Sequence, residues 1–560
     1  MRRRLAAYRF SFRPHLWTSL KGYKRADFAA DTAAGVTVAL VALPLAMAFA
    51  IASGVRPDQG IVTAIVGGFL VSLLGGSKVQ IAGPAGAFVA MLYAIAEKYG
   101  IANLLIATMM AGVLLFAMGA FRLGTLVRFI PISVVIGFTS GIAVIIGFSQ
   151  LRDFLGLRID HMPSNFFSQL SVLAAHLHDV NWAAVAVGLA CLMVIVIWPS
   201  PQSAKPGNWR YVTAKLPSTV VVLVGSAAGA WALGLHVETI ASRFGELPRG
   251  LPTPALPHFD WATAQNLFAP TVAIALLGAI ESLLCARVAD ALIGDRHDPN
   301  QELMAQGVAN FVSPLFGGIA VTGTIARTMT NARSGARSPV AGIVHAAALL
   351  LVLLALGPIA GFIPLAALAA VLLWVAFNMV SWRELRELRR FSLFYRATLL
   401  TTLALTVIFD LTVAVQAGLV LSCLFFIYRM SQVTKIEPIA LPQESRTTPD
   451  GGSVQAWALY GTVFFGSVTR LEGLLTPGAD PPRAVIFEMH KVIYIDNTGL
   501  DAFESLQRSL SQRGSRLVLV GLNDQPRGML SRAGFLEDIG TSNVFATLET
   551  ALEALQPLQS

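Results

Sequence analysis

Two ionisable side chains stand where the sequence leaves little room for charge. Glu281 is the one carboxylate in the apolar helical run Ala275-Leu276-Leu277-Gly278-Ala279-Ile280-Glu281-Ser282-Leu283-Leu284. Arg327 closes Gly317-Gly318-Ile319-Ala320-Val321-Thr322-Gly323-Thr324-Ile325-Ala326-Arg327, which is too glycine-rich for an uninterrupted helix. Inside a bilayer each charge costs roughly 2.5–3.5 kcal/mol on insertion scales, so such residues are rare and point to function. A carboxylate buried in this way is more stable when neutral and could carry a proton. It could equally form a static salt bridge with Arg327, or ligate sodium if several further oxygens lie close. Gly278, Ser282 and Cys285 share its helix face. Arg327 is either a direct counter-charge for an anion or a structural residue behind such a site.

The elements that must position these residues follow from composition. Of the 560 residues, 55% are hydrophobic and only 13% charged, with a mean hydropathy of +0.65, against about 25% charged in soluble domains. Fourteen apolar segments can be counted, near 31–53, 60–76, 84–97, 101–120, 126–148, 181–198, 216–235, 266–288, 303–316, 325–335, 340–357, 362–379, 397–410 and 412–430. The third and tenth are the shortest, and both follow glycine-rich stretches. Leu73-Leu74-Gly75-Gly76 leads through Val79-Gln80-Ile81-Ala82-Gly83-Pro84-Ala85-Gly86 into a short helical run, and Leu315-Phe316-Gly317-Gly318 leads through Ile319 to Gly323 into another. Such Gly-Gly pairs could simply allow close helix packing. Their matched place in two halves of seven segments indicates instead a repeat inserted upside down, with a binding site at the bilayer midplane. The expected fold is a polytopic α-helical membrane protein: fourteen transmembrane segments in a seven-plus-seven inverted repeat, then a small α/β domain.

Two opposed half-helices would aim their free N–H groups at one point, which suits a carboxylate, sulfate or bicarbonate. Pro84 fits a helix start, and Gly83, Ala85, Gly86 and Ala87 keep the backbone approachable. Thr324 and Thr328 offer hydroxyls beside the second terminus. Phe49, in Leu43-Pro44-Leu45-Ala46-Met47-Ala48-Phe49-Ala50, could wall the site or simply pack.

The net charge of +9 is placed beside spans rather than on a basic face interleaved with aromatics, so it indicates a lipid bilayer and not nucleic acid. Arg2, Arg3, Arg4, Arg9, Arg13, Lys21, Lys24 and Arg25 precede the first span, which is too long for a signal peptide. With the N-terminus inside, Lys78, Arg122, Arg128, Lys205, Arg210, Lys215, Arg296, Arg333, Arg337 and the cluster Arg383, Arg386, Arg389, Arg390 and Arg396 fall on the inner side. Only Arg56, Lys98, Arg152, Arg158, Arg243 and Arg249 fall outside. This asymmetry predicts a plasma (bacterial inner) membrane protein with both termini cytoplasmic. Cys191, Cys285 and Cys423 lack metal or disulfide spacing. No metal or other cofactor is expected, and the absence of a His, Cys or Asp cluster near the site argues against an enzyme. The chain divides into residues 1–30, a transporter domain over 31–430 (repeats about 31–235 and 266–430), a linker over 431–452 rich in Pro and Gly, and a soluble domain over 453–560. In the last, Val454 to Tyr460, Ala484 to Met489 and Arg516 to Leu522 read as strands. Gly499 to Leu510, Asp524 to Arg532 and Asn543 to Leu555 read as helices.

These features resemble the sulfate permease family. Asp27 to Gly54 is similar to the family's first-span motif, Gly83-Pro84-Ala85 to its third-span start and Thr324-Ile325-Ala326-Arg327-Thr328 to its tenth. Asp496-Asn497-Thr498-Gly499 resembles the phosphate-site loop of the STAS domain that follows the membrane part. The resemblance implies a core domain moving against a gate domain, homodimerisation, a possible regulatory protein on the STAS domain, and an anion between spans three and ten. Residue by residue it places Phe49, Ala85, Thr324, Ile325, Ala326 and Arg327 around the substrate. Cys285 and Ile325 stand where sodium-coupled members carry threonines, so it favours a proton on Glu281. Within the family the Glu281 and Arg327 segments look most like C4-dicarboxylate carriers, which predicts proton-coupled uptake of fumarate, succinate or aspartate. Carriage of sulfate or bicarbonate, anion exchange, and an uncoupled anion channel are the alternatives. A membrane receptor that signals through the STAS domain is a further one. Thr498 matches a phosphorylated position in anti-sigma-factor antagonists, or simply belongs to a capped helix start.

Overall fold

The computed structural model describes residues 12–125, 131–159, 162–163, 165–199, 217–257, 259–409, 411–443, 447, 453–468 and 482–555. Arg2 to Arg9, Arg128, Lys205, Arg210, Lys215 and the linker residues Pro449 to Gly452 lie outside them. Two compact units are present, residues 1–419 and 420–560.

Each of the fourteen apolar segments contains a helix. In the first half these are α1 (Arg25–Ala52), α2 (Pro57–Leu74), α3 (Gly86–Tyr99), α4 (Ile101–Ala120), α5 (Ile132–Leu155), then α7 (Trp182–Ile197) and α8 (Ser218–Ala232). Between α5 and α7 lies α6 (Phe166–Ala175), a ten-residue helix outside the fourteen expected segments and too short to span. A short helix α9 (Ile240–Phe244) leads to the second half: α10 (Phe268–Ile293), α11 (Pro299–Val312), α12 (Ile325–Arg333), α13 (Val340–Ala360), α14 (Leu365–Met379), α15 (Leu393–Ile408) and α16 (Leu411–Val433). Among the described residues, α1, α2, α4, α5, α10 and α16 are long and apolar enough to cross a membrane by length and composition.

Local chemistry sets several boundaries. Helix α5 runs past the expected end at 148 because Arg152 and Asp153 do not interrupt it, and it stops at Gly156, whose φ is 63°. Helix α11 begins at Pro299, four residues earlier than expected. Asp298 caps it by accepting from the N–H groups of Asn300 and Gln301, at 2.9 and 3.1 Å. Helices α4 and α11 meet through Gly112 and Gly307, and a Cβ on either would come within 2.7 Å of the other's carbonyl oxygen. Gly76 of the first Gly-Gly pair likewise lets its N–H reach the Glu302 carboxylate at 3.0 Å, so this pair does serve close packing. Asp31, fully buried on α1, accepts from Tyr23 Oη (2.6 Å), the Arg337 N–H (2.6 Å) and the Ser338 N–H (3.2 Å), tying α1 to the chain that enters α13. Burial and the bond to Asp31 push the Tyr23 phenol up to about 12.

The second unit carries a five-stranded sheet in the order β3 (Lys435–Pro438), β4 (Val454–Val463), β5 (Ala484–Ile495), β6 (Arg516–Val520), β7 (Val544–Phe545). The first pairing is antiparallel and the rest parallel. Helices α17 (Asn497–Gln512), α18 (Asp524–Arg532) and α19 (Leu548–Leu555) accompany it. Leu500, Phe503, Leu506 and Leu510 of α17 pack on Val485, Phe487 and Leu519 of the sheet. Three expectations need correction. Lys435–Pro438 is an edge strand rather than linker, a place where proline is tolerated. β5 runs six residues past Met489, since pairing with β4 continues through two register shifts to Ile495. Val544–Phe545 is a strand, and the helix expected from Asn543 starts only at Leu548.

Candidate functional site

The two glycine-rich stretches meet. Ahead of α3 lies strand β1 (Ala82–Gly83) and ahead of α12 strand β2 (Thr322–Gly323), paired antiparallel with Ala82 opposite Gly323 and Gly83 opposite Thr322. Side-chain amides hold their flanks. Asn310 of α11 accepts from the Val321 N–H and donates to the Val321 carbonyl, both at 2.8 Å, and Asn331 of α12 donates to the Val79 carbonyl at 2.9 Å. The Ile319 N–H donates at 2.8 Å to Thr63 Oγ1, at the start of a π-turn in α2 (Thr63–Gly67). Each strand then turns into a half-helix through an extended residue, Ala85 before α3 and Thr324 before α12. Among the described residues no side chain caps either start. Their first-turn N–H groups therefore remain available, as helix geometry leaves them.

The residues singled out in sequence gather here in distinct ways. Phe49 of α1 lies over Gly86: a Cβ on that glycine would come within 3.2 Å of the ring and 3.1 Å of Met379 Sδ from α14. Phe49, Gly83, Pro84, Ala85 and Gly86 are buried, Ile325 is half-buried and Ala326 is exposed. Arg327 is 1% exposed, and its guanidinium lies behind β1, where a Cβ on Gly83 would come within 2.5 Å of Nη1 and 3.5 Å of Ala64 in the π-turn. The hydroxyls expected to face an anion are engaged elsewhere. Thr324 Oγ1 donates to the Ile81 carbonyl at 3.0 Å, and Thr328 Oγ1 accepts from the Ile81 N–H at 2.9 Å. Both threonines brace β1 against α12.

Glu281 is 8% exposed, and its Oε2 is buried without a partner. All three guanidinium nitrogens of Arg327 are likewise buried and have no partner among the described residues. The two charges therefore do not form the salt bridge that the sequence left open. The face of α10 around Glu281 is fastened to the strand pair. Ser282 Oγ and Thr322 Oγ1 are 2.8 Å apart, and Ser282 Oγ accepts from the Gly323 N–H at 3.2 Å. Thr322 Oγ1 reaches the Gly278 carbonyl at 3.3 Å, and Cys285 Sγ donates to Thr328 Oγ1 at 3.1 Å. Gly278, Ser282 and Cys285 share the face expected of them, as scaffold for β2 and α12.

Sequence reasoning missed Gln80 and His345. Gln80 donates to the Ser282 carbonyl at 3.3 Å, and its Oε1 is buried and unpartnered. His345 of α13 is fully buried with neither ring nitrogen partnered among the described residues, and a Cβ added to Gly68 of α2 would stand 4.0 Å from its Cδ2. Nothing in their spacing marked them; only the third dimension brings them behind β1.

A helical unit built round two half-helix starts, with a sheet unit after it in the chain, is the arrangement expected of the family that the sequence resembles. The comparisons agree. The model of the "Sulfate permease family" matches residues 28–402 and that of the "STAS domain" residues 456–551. The chain belongs to the sulfate permease family. It is 41% identical over 531 residues to the "Putative sulfate transporter YvdB" of Bacillus subtilis, covering 94% of this chain and 97% of that one. It is 30% identical over 555 residues to the "Bicarbonate transporter BicA" of Synechocystis, covering 95% of both. Among solved structures, the transmembrane domain of a cyanobacterial bicarbonate transporter BicA matches with TM-score 0.63 at 31% identity, covering 70% of this chain and 98% of that one. SLC26A9 matches with TM-score 0.84 over 96% of this chain and 92% of that one; at 18% identity this concerns the fold alone.

Proposed function

We propose that this chain is a secondary active transporter of a small inorganic oxyanion, sulfate or bicarbonate, bound where α3 and α12 begin. The observation that carries this reading is the convergence of two uncapped half-helix starts beside Arg327, whose buried guanidinium has no partner among the described residues. An oxyanion there would accept from first-turn N–H groups and feel the positive field of Arg327. The dicarboxylate expectation gives way to its inorganic alternative, because the relatives matched along nearly their full length are named for sulfate and bicarbonate. Gly83, Pro84, Ala85 and Gly86 form one wall of the site and Thr324, Ile325, Ala326, Arg327 and Thr328 the other, with Phe49 as a lid over Gly86. Both termini lie in the cytoplasm, and the chain works as a homodimer by alternating access.

Glu281 carries a coupled proton in this reading. Its unpartnered carboxylate oxygen and its separation from Arg327 support a group free to exchange a proton. The helix that holds it is tied through Ser282 and Thr322 to the strand pair, so a change at Glu281 reaches the anion site directly. Sodium coupling is disfavoured by Cys285, which donates to Thr328, and by the aliphatic Ile325.

The test is uptake of labelled sulfate into proteoliposomes with an imposed pH gradient, competed by bicarbonate and by fumarate. Accumulation driven by an acidic exterior, lost in Glu281→Gln with binding retained, is the expected result. Passive conductance without accumulation would mean a channel. Competition by fumarate alone would restore the dicarboxylate reading.

A further inference from the structure

A second polar site lies away from the half-helix starts. A cavity of about 1060 Å³ is walled by α3 along Val89, Ala90, Tyr93 and Ala94, by the ends of α5 and α15, by α6, and by α9. Its charged lining is Glu97, Lys98, Arg152, Asp153, Glu238 and Arg243. All three of these basic residues belong to the group that the charge asymmetry puts on the outer side.

The two arginines differ in what they have to bind. Arg243 is fully engaged: its Nη1 donates to Asp153 Oδ1 at 2.7 Å, and it pairs with Glu238 as well. Among the described residues Arg152 pairs only with the same Asp153 oxygen, at 3.8 Å, and its buried Nε has no hydrogen-bond partner. Asp153 is held at hydrogen-bond distance by Arg243 rather than by Arg152, so the Arg152 guanidinium keeps unused donor capacity on the cavity. A second unpartnered group lines the same space. Gln169 of α6 is 3% exposed and its Oε1 has no partner among the described residues. Buried polar groups without partners mark places where a ligand or water completes the bonding. A guanidinium presents planar donors that match an oxyanion. A carboxamide on the same cavity can accept from a protonated oxygen or, turned over, donate to a bare one.

We propose that this cavity is a capture site for the transported oxyanion on the outer face, with Arg152 as its principal ligand and Gln169 as the second. The proposal rests on the transport reading and its sidedness given above. The wall formed by α3 ends at Val89, one turn from Gly86, so an anion released from Arg152 enters beside the half-helix starts. Helix α6 thereby gains a role beyond packing, since it carries the amide that closes the site.

The test separates the two faces. In right-side-out vesicles, Arg152→Gln should raise the external sulfate concentration for half-maximal uptake about tenfold, leave the maximal rate unchanged, and be largely rescued by Arg152→Lys. Half-saturation from the inner face, measured as efflux, should stay the same. An unchanged external value, or equal shifts on both faces, overturns the proposal. A second measurement keeps Arg152 in place: Ala94→Cys in a Cys423→Ser background, labelled by a membrane-impermeant thiol reagent. Labelling from outside, slowed by sulfate in the millimolar range, supports the site; labelling indifferent to sulfate overturns it. Protection by sulfate in a chain that moves no sulfate would sustain the site and overturn only the transport reading. Labelling confined to the inner face would overturn the capture role.

Discussion

The starts of α3 and α12 share one backbone design and differ in chemistry. Both follow a two-residue strand, both turn through one extended residue, and neither has a side-chain cap. At the third helical position, however, α3 carries Phe88 and α12 carries Arg327, each 1% exposed. The Phe88 ring lies 3.5 Å from where a Cβ on Gly278 of α10 would stand, and the Arg327 guanidinium lies against Gly83. The repeat thus duplicates the frame while dividing the work: one half supplies an apolar plug and the other the charge. A symmetric pair of arginines would double the field but also the desolvation cost, which for a buried ion is several kcal/mol. In the proposed site, a single charge beside two helix starts would already give an anion a favourable place.

The largest effect should come from the apolar side. Removing the Phe88 ring leaves a void among α3, α4 and α10, so Phe88→Ala should lower stability by about 3–5 kcal/mol. A melting curve in detergent reads this. An unchanged midpoint would mean that the ring is not a plug and that the two helix starts are less different than described.

Arg327→Met should act in the opposite sense on stability. It removes a buried charge with no partner among the described residues, and replacing buried ions with apolar side chains is often neutral or stabilising by about 1–4 kcal/mol. Uptake should nevertheless fall on the order of 100-fold, about 2.7 kcal/mol of lost anion stabilisation. Lower stability together with lost uptake would instead assign Arg327 to scaffolding and break the comparison.

The frame was far more legible in sequence than the contacts that hold it. Hydropathy alone located all fourteen helix-bearing segments, and Gly83-Pro84 and Gly323-Thr324 marked where two of them begin, because glycine and proline act through the local backbone. The partners were not legible. Asn310 reaches Val321 across eleven residues and Asn331 reaches Val79 across 252, and nothing in either asparagine's neighbourhood announces it. Thr324 and Thr328 looked like ligands because they are polar and near the site, yet their hydroxyls bond to Ile81. The pairing of Glu281 with Arg327, open in sequence, is decided only by where α10 and α12 turn their faces.

Ser282 tests how far the frame on the α12 side depends on that cross-link. Its hydroxyl meets Thr322 and the Gly323 N–H, so Ser282→Ala leaves a buried backbone donor unsatisfied, at a cost of about 1–3 kcal/mol. The expected result is a lower melting midpoint with weakened proton dependence, since the link between Glu281 and the strand pair is cut. A midpoint shift with proton dependence intact would leave Ser282 structural and separate the proton site from the frame.

The smallest expected effect addresses the shared feature itself, the missing caps. Elsewhere in the chain a start of this kind is closed by a side chain: Asp496 accepts from the Gly499 N–H at 2.8 Å at the head of α17, beside the exposed Thr498. Ala85 occupies the corresponding position before α3. Ala85→Ser would supply an internal acceptor for the same N–H groups that an anion would use. It should stabilise α3 by about 1 kcal/mol and weaken sulfate binding by up to about fivefold, the same energy expressed as an equilibrium constant. If sulfate affinity is unchanged while stability rises, the α3 start contributes no ligand, and the anion belongs to α12 and Arg327 alone.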